Sequence, residues 1–240
     1  MSRNPTNLIE NIERNPFRTI IALAWPVTVS MLSYTAMSLA DTLFVGRLGT
    51  APLAALGLAI PALFLTIATG GGVLAGLRVA VAQAVGAGRH DETRLLAWQG
   101  MWLTLILGAL GIALTPLGPL LFELQGASEE VMVNANTYFS VRQLLVPVVF
   151  ASLSLVGFFQ GRGDTRTPMI ATISANAVNI ALDPLLIFGM GPLPALGIQG
   201  AAVATAIAIV VEFTILAWCF APFARISEMR WNRELCAQVV

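Results

Sequence analysis

Two aspartates stand inside runs of apolar sequence. Asp183 lies in Asn-Ile-Ala-Leu-Asp-Pro-Leu-Leu-Ile-Phe-Gly, and Asp41 in Ser-Leu-Ala-Asp-Thr-Leu-Phe-Val-Gly. A charge carried into a bilayer costs at least about 2.5–3.5 kcal/mol, so a carboxylate in such a place is paired or functional. Thr172, Asn176, Asn179 and Asp183 follow one another at steps of four, three and four, which puts them on one helical face. Tyr34, Ser38 and Asp41 repeat at steps of four and three. Two such stripes facing each other inside a bundle enclose a small hydrophilic cavity. Two carboxylates at close quarters in a low-dielectric site do not both stay ionised without a cation between them. The chemistry is therefore proton uptake or, with Asn179 and a threonine oxygen added, Na⁺ binding, and the sequence does not choose between the ions. The bland alternative for Asp41 is a loop aspartate capping a helix at the outer surface.

Arg142 is a second kind of intramembrane charge, either a counter-charge or a packing residue. Prolines recur at Pro26, Pro61, Pro116, Pro147 and Pro184. Pro26 and Pro184 are candidate hinges, because proline removes a backbone donor and bends a helix. Gly161-Arg162-Gly163-Asp164 fits the Gly-x-Gly-Asp pattern of intramembrane aspartyl proteases. That aspartate lies among arginines in a loop with no second aspartate to match, so the pattern carries little weight.

The elements that hold these residues follow from composition. Of 240 residues 57% are hydrophobic and 11% charged, and the mean hydropathy is +0.80. A soluble domain carries about 25% charged residues. An ordinary soluble protein, a disordered chain and a nucleic-acid binder are excluded. Crossing the hydrocarbon core takes roughly 20 apolar residues. Six stretches qualify, near Thr19–Leu39, Leu53–Leu77, Leu95–Leu121, Val131–Phe159, Thr167–Met190 and Leu196–Pro222. Strand-like alternation is absent. The fold class is an all-α membrane bundle of six spans. It divides into a polar, amphipathic segment over residues 1–18, a membrane lobe over 19–222 and a basic tail or linker over 223–240. The first segment has no signal-peptide pattern.

The basic residues are all arginine, and His90 is the lone histidine. Arg3, Arg14 and Arg18, then Arg78, Arg89 and Arg94, then Arg162 and Arg166, then Arg225, Arg230 and Arg233 fall in alternate connections. The opposite connections hold only Arg47. Basic loops stay in the cytoplasm, so both termini are expected there and the protein in the cell's inner or plasma membrane. Asp183 is 16 residues beyond Thr167, roughly 24 Å up the fifth span, and Asp41 is about as deep. Gly70, Gly71, Gly72 and Gly76, and Gly197, Gly200, Ala201 and Ala202, are read as close helix contacts. Cys219 and Cys236 form no metal or redox motif.

Asp-Thr-Leu-Phe-Val-Gly-Arg-Leu-Gly at 41–49 resembles the end of the first helix in the multidrug and toxic compound extrusion (MATE) family. Gln83 with Gly86, Ala87 and Gly88 is similar to the end of its second. Tyr138, Arg142 and Pro147 resemble its fourth helix, and Gln-Gly-Arg-Gly-Asp-Thr-Arg-Thr-Pro-Met at 160–169 the loop before its fifth. Asn179 to Pro184, followed by Gly197-Ile-Gln-Gly-Ala-Ala, resembles helices five and six. The Arg142 context leans toward the DinF-like branch.

The resemblance implies a secondary antiporter, not an enzyme, with no cofactor. It would expel amphipathic, mainly cationic, drugs or metabolites against an inward H⁺ or Na⁺ gradient. It implies an ion-coupling site at Asp41, Asn179 and Asp183, joined by Asn176 and Tyr34 from the stripes, a helix-six threonine for which Thr205 is the nearest candidate, and Tyr138 beside the cavity. No metal is firmly implied beyond Na⁺ at Asp41, Asn179 and Asp183. Family members have two six-helix lobes, so a second lobe is expected as a partner, from a C-terminal half or a second copy. Membrane lipid and a small amphipathic substrate are the other partners, and nucleic acid is not one. The competing readings are a truncated, non-transporting fragment or assembly module, and a lipid-precursor flippase, which would need a more cationic cavity than Arg142 alone supplies.

Overall fold

The computed structural model describes residues 14–189, 194–224, 229 and 231–239. Most of the amphipathic segment expected over 1–18, with Arg3, lies outside the described residues, as do Met190, Arg225 and Arg230. Among the described residues every regular element is a helix. The order is α1 (Pro16–Gly46), α2 (Thr50–Gly86), α3 (His90–Ala113), a 3₁₀ turn (Thr115–Leu117), α4 (Gly118–Leu124), α5 (Glu129–Leu144), α6 (Val146–Gly161), α7 (Arg166–Phe188), α8 (Ile198–Phe220), a second 3₁₀ turn (Ala221–Phe223) and α9 (Arg233–Val239).

These helices make six apolar spans. α1, α2, α7 and α8 are one span each, α3 runs on through the turn into α4, and α5 with α6 forms a span bent by 48°. The bend is where the sequence demands it. Pro147 sits at the start of α6, where it has no N–H for the α5 ladder and disfavours helical backbone in the residue before it. Gln143 holds the break in place by donating from Nε2 to the Gly111 carbonyl on α3 at 2.6 Å. The fourth span, read from sequence as one continuous stretch, is thus two helices.

The first span is longer than its apolar stretch suggested. α1 continues past Asp41 to Gly46, where the backbone turns through Arg47 and Leu48 to Gly49 at φ 128. No proline or glycine stands between Asp41 and Gly46 to stop it earlier. At the opposite end, α3 opens with Asp91 and Glu92 in its first turn, where acids suit the helix dipole, and these pair with Arg94 at 2.8 Å and Arg89 at 2.7 Å.

Two apolar clusters bracket the middle of the lobe. One gathers Val45, Leu56, Leu63, Phe122, Phe139 and Ile187. The other, at the end where α6 and α8 finish, joins Phe158, Phe159, Leu216 and Phe220, with the Phe158 and Phe220 rings edge to face at 5.0 Å. The outside is apolar as well: Phe64, Leu65 and Trp218 are 70%, 68% and 81% exposed, as lipid-facing residues should be. Small residues bring α7 and α8 together. A Cβ on Gly200 would strike the Leu186 carbonyl, and Ala201, Ala204, Thr205 and Ala208 are buried along the same helix. Gly70 likewise gives room to the Phe150 ring, whereas a Cβ on Gly72 would meet nothing within 4 Å among the described residues.

Candidate functional site: a buried carboxyl pair behind a cavity

α1 and α7 run parallel, and each carries its aspartate five residues before its last residue. That register brings Asp41 and Asp183 to the same level. Asp41 is 6% and Asp183 0% exposed, and their carboxyl groups lie against one another. Asp41 therefore lies inside a helix and does not cap one. Asp183 Oδ1 is buried and has no donor. A buried carboxyl oxygen without a partner is costly, and a proton or small cation relieves it.

Asn179, fully buried, lies beside this pair. Carboxylate oxygens only accept, so the Asn179 amide must present its nitrogen to Asp41; so oriented, Nδ2 donates to Asp41 Oδ1 at 3.2 Å, and its oxygen accepts from Thr205 N at 3.2 Å and lies 3.3 Å from Thr205 Oγ1. The Thr205 hydroxyl itself donates to the Ala201 carbonyl at 2.9 Å. Tyr138, 3% exposed, sets its phenol against Thr205 from α5. Asp41, Asp183, Asn179, Thr205 and Tyr138, drawn from four helices, thus meet in one buried cluster.

Asn176, one turn before Asn179, donates from Nδ2 to Ser33 Oγ on α1 at 2.9 Å. The α1 face against α7 is therefore Ser33, Met37 and Asp41, at steps of four, and not the stripe of Tyr34, Ser38 and Asp41 counted from sequence. Tyr34 is 55% exposed and reaches the site only by lining the cavity in front of it.

That cavity has a volume of about 370 Å³. Its apolar wall includes Met31, Ile67 and Val149, and its polar lining includes Tyr34, Arg142, Asn176 and Thr205. It also includes Glu212, which sequence reading missed. Glu212 Oε1 accepts from Thr172 Oγ1 at 2.6 Å. The signal was available: Glu212 interrupts Ala-Ile-Ala-Ile-Val-Val-Glu-Phe-Thr-Ile-Leu as plainly as Asp183 interrupts its own span. Arg142 presents Nε and Nη1 buried and without an acceptor, and it is in neither of the ion pairs found among the described residues.

Pro26 and Pro184 lie inside α1 and α7, so the Ala22 and Ile180 carbonyls lose their usual donors four residues on. Asp164 has a local task. Oδ1 accepts from the Arg166 and Thr167 amides, each at 3.1 Å, and Oδ2 from the Thr167 hydroxyl at 2.7 Å, so it caps α7. This removes the protease pattern. Among the described residues no three His, Cys, Asp or Glu side chains gather to hold a metal.

The MatE family pattern matches residues 26–185. A protein described as an FAD transporter, from Shewanella oneidensis, is 33% identical over 204 residues, covering 82% of this chain and 44% of its own. A probable multidrug resistance protein NorM from Thermotoga maritima is 32% identical over 207 residues, covering 84% of this chain and 44% of its own. In structure, an outward-facing multidrug resistance MATE transporter of the MOP superfamily superposes with a TM-score of 0.88 at 29% identity, over 100% of this chain and 53% of that one. A MOP superfamily transporter from Pyrococcus furiosus, described as having a binding pocket of reverse polarity, gives 0.84 at 30% identity, over 92% and 50%. The chain spans about half the length of these relatives.

Proposed function

Because the chain belongs to the MATE family, a family of membrane transporters and not of enzymes, we propose that it is the N-terminal lobe of an ion-coupled antiporter that expels amphipathic, mainly cationic, compounds. One observation carries this reading: the Asp41–Asp183 carboxyl pair sits behind the cavity with an oxygen that nothing donates to. Cargo in the cavity and an ion on the pair are then neighbours that can exclude one another. The relatives described as multidrug resistance proteins support a varied, amphipathic cargo.

The coupling ion we favour is the proton. Two carboxyl groups in direct contact share one proton without rearrangement. Sodium would need the Asn179 amide to turn its oxygen toward Asp41, giving up the Thr205 N contact. Loss of charge on protonation would loosen the Asn179–Asp41 bond, which ties α1 to α7, and the helices can yield at Pro26 and Pro184. Both termini are assigned to the cytoplasmic side of the cell membrane, with 1–18 and 223–240 flanking the lobe and a second six-helix lobe completing the path.

The test is efflux of a fluorescent lipophilic cation from vesicles carrying the chain joined to a C-terminal lobe. An imposed pH gradient should drive it, and a Na⁺ gradient alone should not. Efflux that follows Na⁺ and ignores pH would reverse the choice of ion; efflux that follows neither would end the antiporter reading.

A further inference from the structure

The polar face of α7 has an acid at each end. At one end Asp183 meets Asp41. Eleven residues back, about 16 Å along the helix, Thr172 donates to Glu212 Oε1 on α8 at 2.6 Å. Asn176 and Asn179 stand between them on the same face, so polar groups run from the carboxyl pair to Glu212. Asn176, Thr172 and Glu212 also line the cavity, and Glu212 is the one carboxyl group on its wall among the described residues. The other groups there that can ionise are Tyr34 from α1 and Arg142 from α5; α6 presents Gln160 and α7 presents Thr172 and Asn176, none of which titrates. Arg142 acts on Asp41 and Tyr138, and Glu212 has no part in the two ion pairs found among the described residues. Its carboxylate is therefore held by a hydroxyl and by no cation. Leu216, one turn further along α8, is fully buried with Phe158, Phe159 and Phe220 in the apolar cluster at this end of the lobe. Beyond that cluster lie Arg162 and Arg166, on the side assigned to the cytoplasm. Glu212 is thus the last acid on the cavity wall before an apolar seal.

We propose that Glu212 is a second proton station, which takes the proton from the Asp41–Asp183 pair and hands it on toward the cytoplasm. The inference rests on the pair being a proton site and adds a step to it. An aspartic acid of the pair gives up its proton, and the Glu212 carboxylate becomes the acid. Glu212 then releases the same proton to water on the cytoplasmic side when the phenylalanine cluster parts, and returns to carboxylate. Neither asparagine titrates, so water in the cavity carries the proton between the two stations; a volume of about 370 Å³ with a partly polar wall has room for it. Thr172 occupies Oε1 and leaves Oε2 for the proton. Acids placed in series along a membrane span are a means of moving protons across it.

Charge movement after a pH step tests this on the chain in phosphatidylcholine vesicles adsorbed to a solid-supported membrane, with circular dichroism to confirm folding. Acidifying the outer solution should give a fast phase as the pair loads and a slower one as the proton crosses to Glu212. Glu212→Gln keeps an acceptor for Thr172 and removes the titrating group. It should keep the fast phase and slow the second roughly a hundredfold, the scale of one positioned acid–base group. Glu212→Asp, with a carboxyl on a shorter arm, should keep part of the slow phase. A packing role predicts the opposite order, because glutamine matches glutamate in size. An absence of charge movement in the parent chain overturns the proton reading of the pair and the second station with it. A single phase in the parent, or both parental phases in Glu212→Gln, overturns the station alone. A slow phase weaker in Glu212→Asp than in Glu212→Gln makes Glu212 a packing residue and likewise overturns it.

Discussion

Thr172 and Glu212 meet at 2.6 Å, two helical turns along α7 and α8 from the contact between Asn179 and Thr205. The helices are antiparallel, and each contact is seven residues from the other on both helices. They are two rungs of one ladder between α7 and α8, one facing the cavity and one facing the carboxyl pair. The rung at Glu212 holds a half-buried acid in place. Thr172→Val keeps the shape and removes the donor, and should destabilise the lobe by about 1–3 kcal/mol. Thr214→Val, on the same pair of helices, removes a hydroxyl bonded only to its own helix at the Val210 carbonyl and should change little. Unfolding in mixed micelles titrated with sodium dodecyl sulfate measures both. Equal losses would show that the rung contributes nothing of its own.

Much of this site is legible in the sequence because water is absent from its surroundings. In a span of leucine, isoleucine and valine, any carboxyl or amide must face inward, so Asn176, Asn179 and Asp183 announce a face by spacing alone. The α1 face was misplaced by one residue. Serine, threonine and tyrosine can bond to their own helix or reach a lipid interface, and Tyr34, Ser38 and Ser33 look alike in a pattern. Only the partner Asn176 singles out Ser33. Glu212 escaped because it belongs to no stripe: its neighbours four residues away on either side are Ala208 and Leu216, and its partner lies 40 residues off on α7. The bend after α5 was partly visible in Pro147, but apolar composition does not distinguish one helix from two.

Helix contact gives a second prediction. Gly200→Ala places a methyl group against the Leu186 carbonyl and the start of Ile187, and backbone cannot move aside as a side chain can. The expected loss is about 1–3 kcal/mol. Gly72→Ala, with open space around it, should be neutral or stabilising by up to about 1 kcal/mol through helix propensity. The same unfolding titration compares them, and a Gly72→Ala loss as large as that of Gly200→Ala would contradict the packing described for α7 and α8.

Orientation in the membrane gives a third. The ends of α2 and α6 and the start of α3 and α7 share one side of the lobe and carry Arg78, Arg89, Arg94, Arg162 and Arg166, while the other side carries Arg47. Reporter fusions at Arg89 should read cytoplasmic, and a fusion at Glu129 external. A cytoplasmic signal at Glu129 would overturn the six-span order.

The carboxyl pair gives the last. Asp183→Asn and Asp41→Asn should each abolish gradient-driven efflux when the chain is joined to a second lobe, and should leave folding intact. Asparagine has nearly the size of aspartate and keeps its hydrogen-bonding edge, but it cannot gain or lose a proton near neutral pH. Packing between Val45, Ile187 and the rest of the cluster beyond the pair is untouched by the exchange. In the Asp183→Asn variant the new amide can donate to Asp41, so the pair becomes a fixed hydrogen bond that no longer responds to protons. In Asp41→Asn the new amide oxygen can still accept from Asn179, but without the charge of a carboxylate, which weakens the tie between α1 and α7 at that level. The two variants should therefore fail alike in transport and differ in stability, with Asp183→Asn at least as stable as the parent and Asp41→Asn less so. Dye efflux under an imposed pH gradient, with expression and unfolding followed in parallel, reads all three quantities. Parental efflux in Asp183→Asn would remove the pair from the coupling mechanism; parental efflux in Asp41→Asn alone would leave Asp183 as the single titrating group, with Asp41 reduced to holding Asn179.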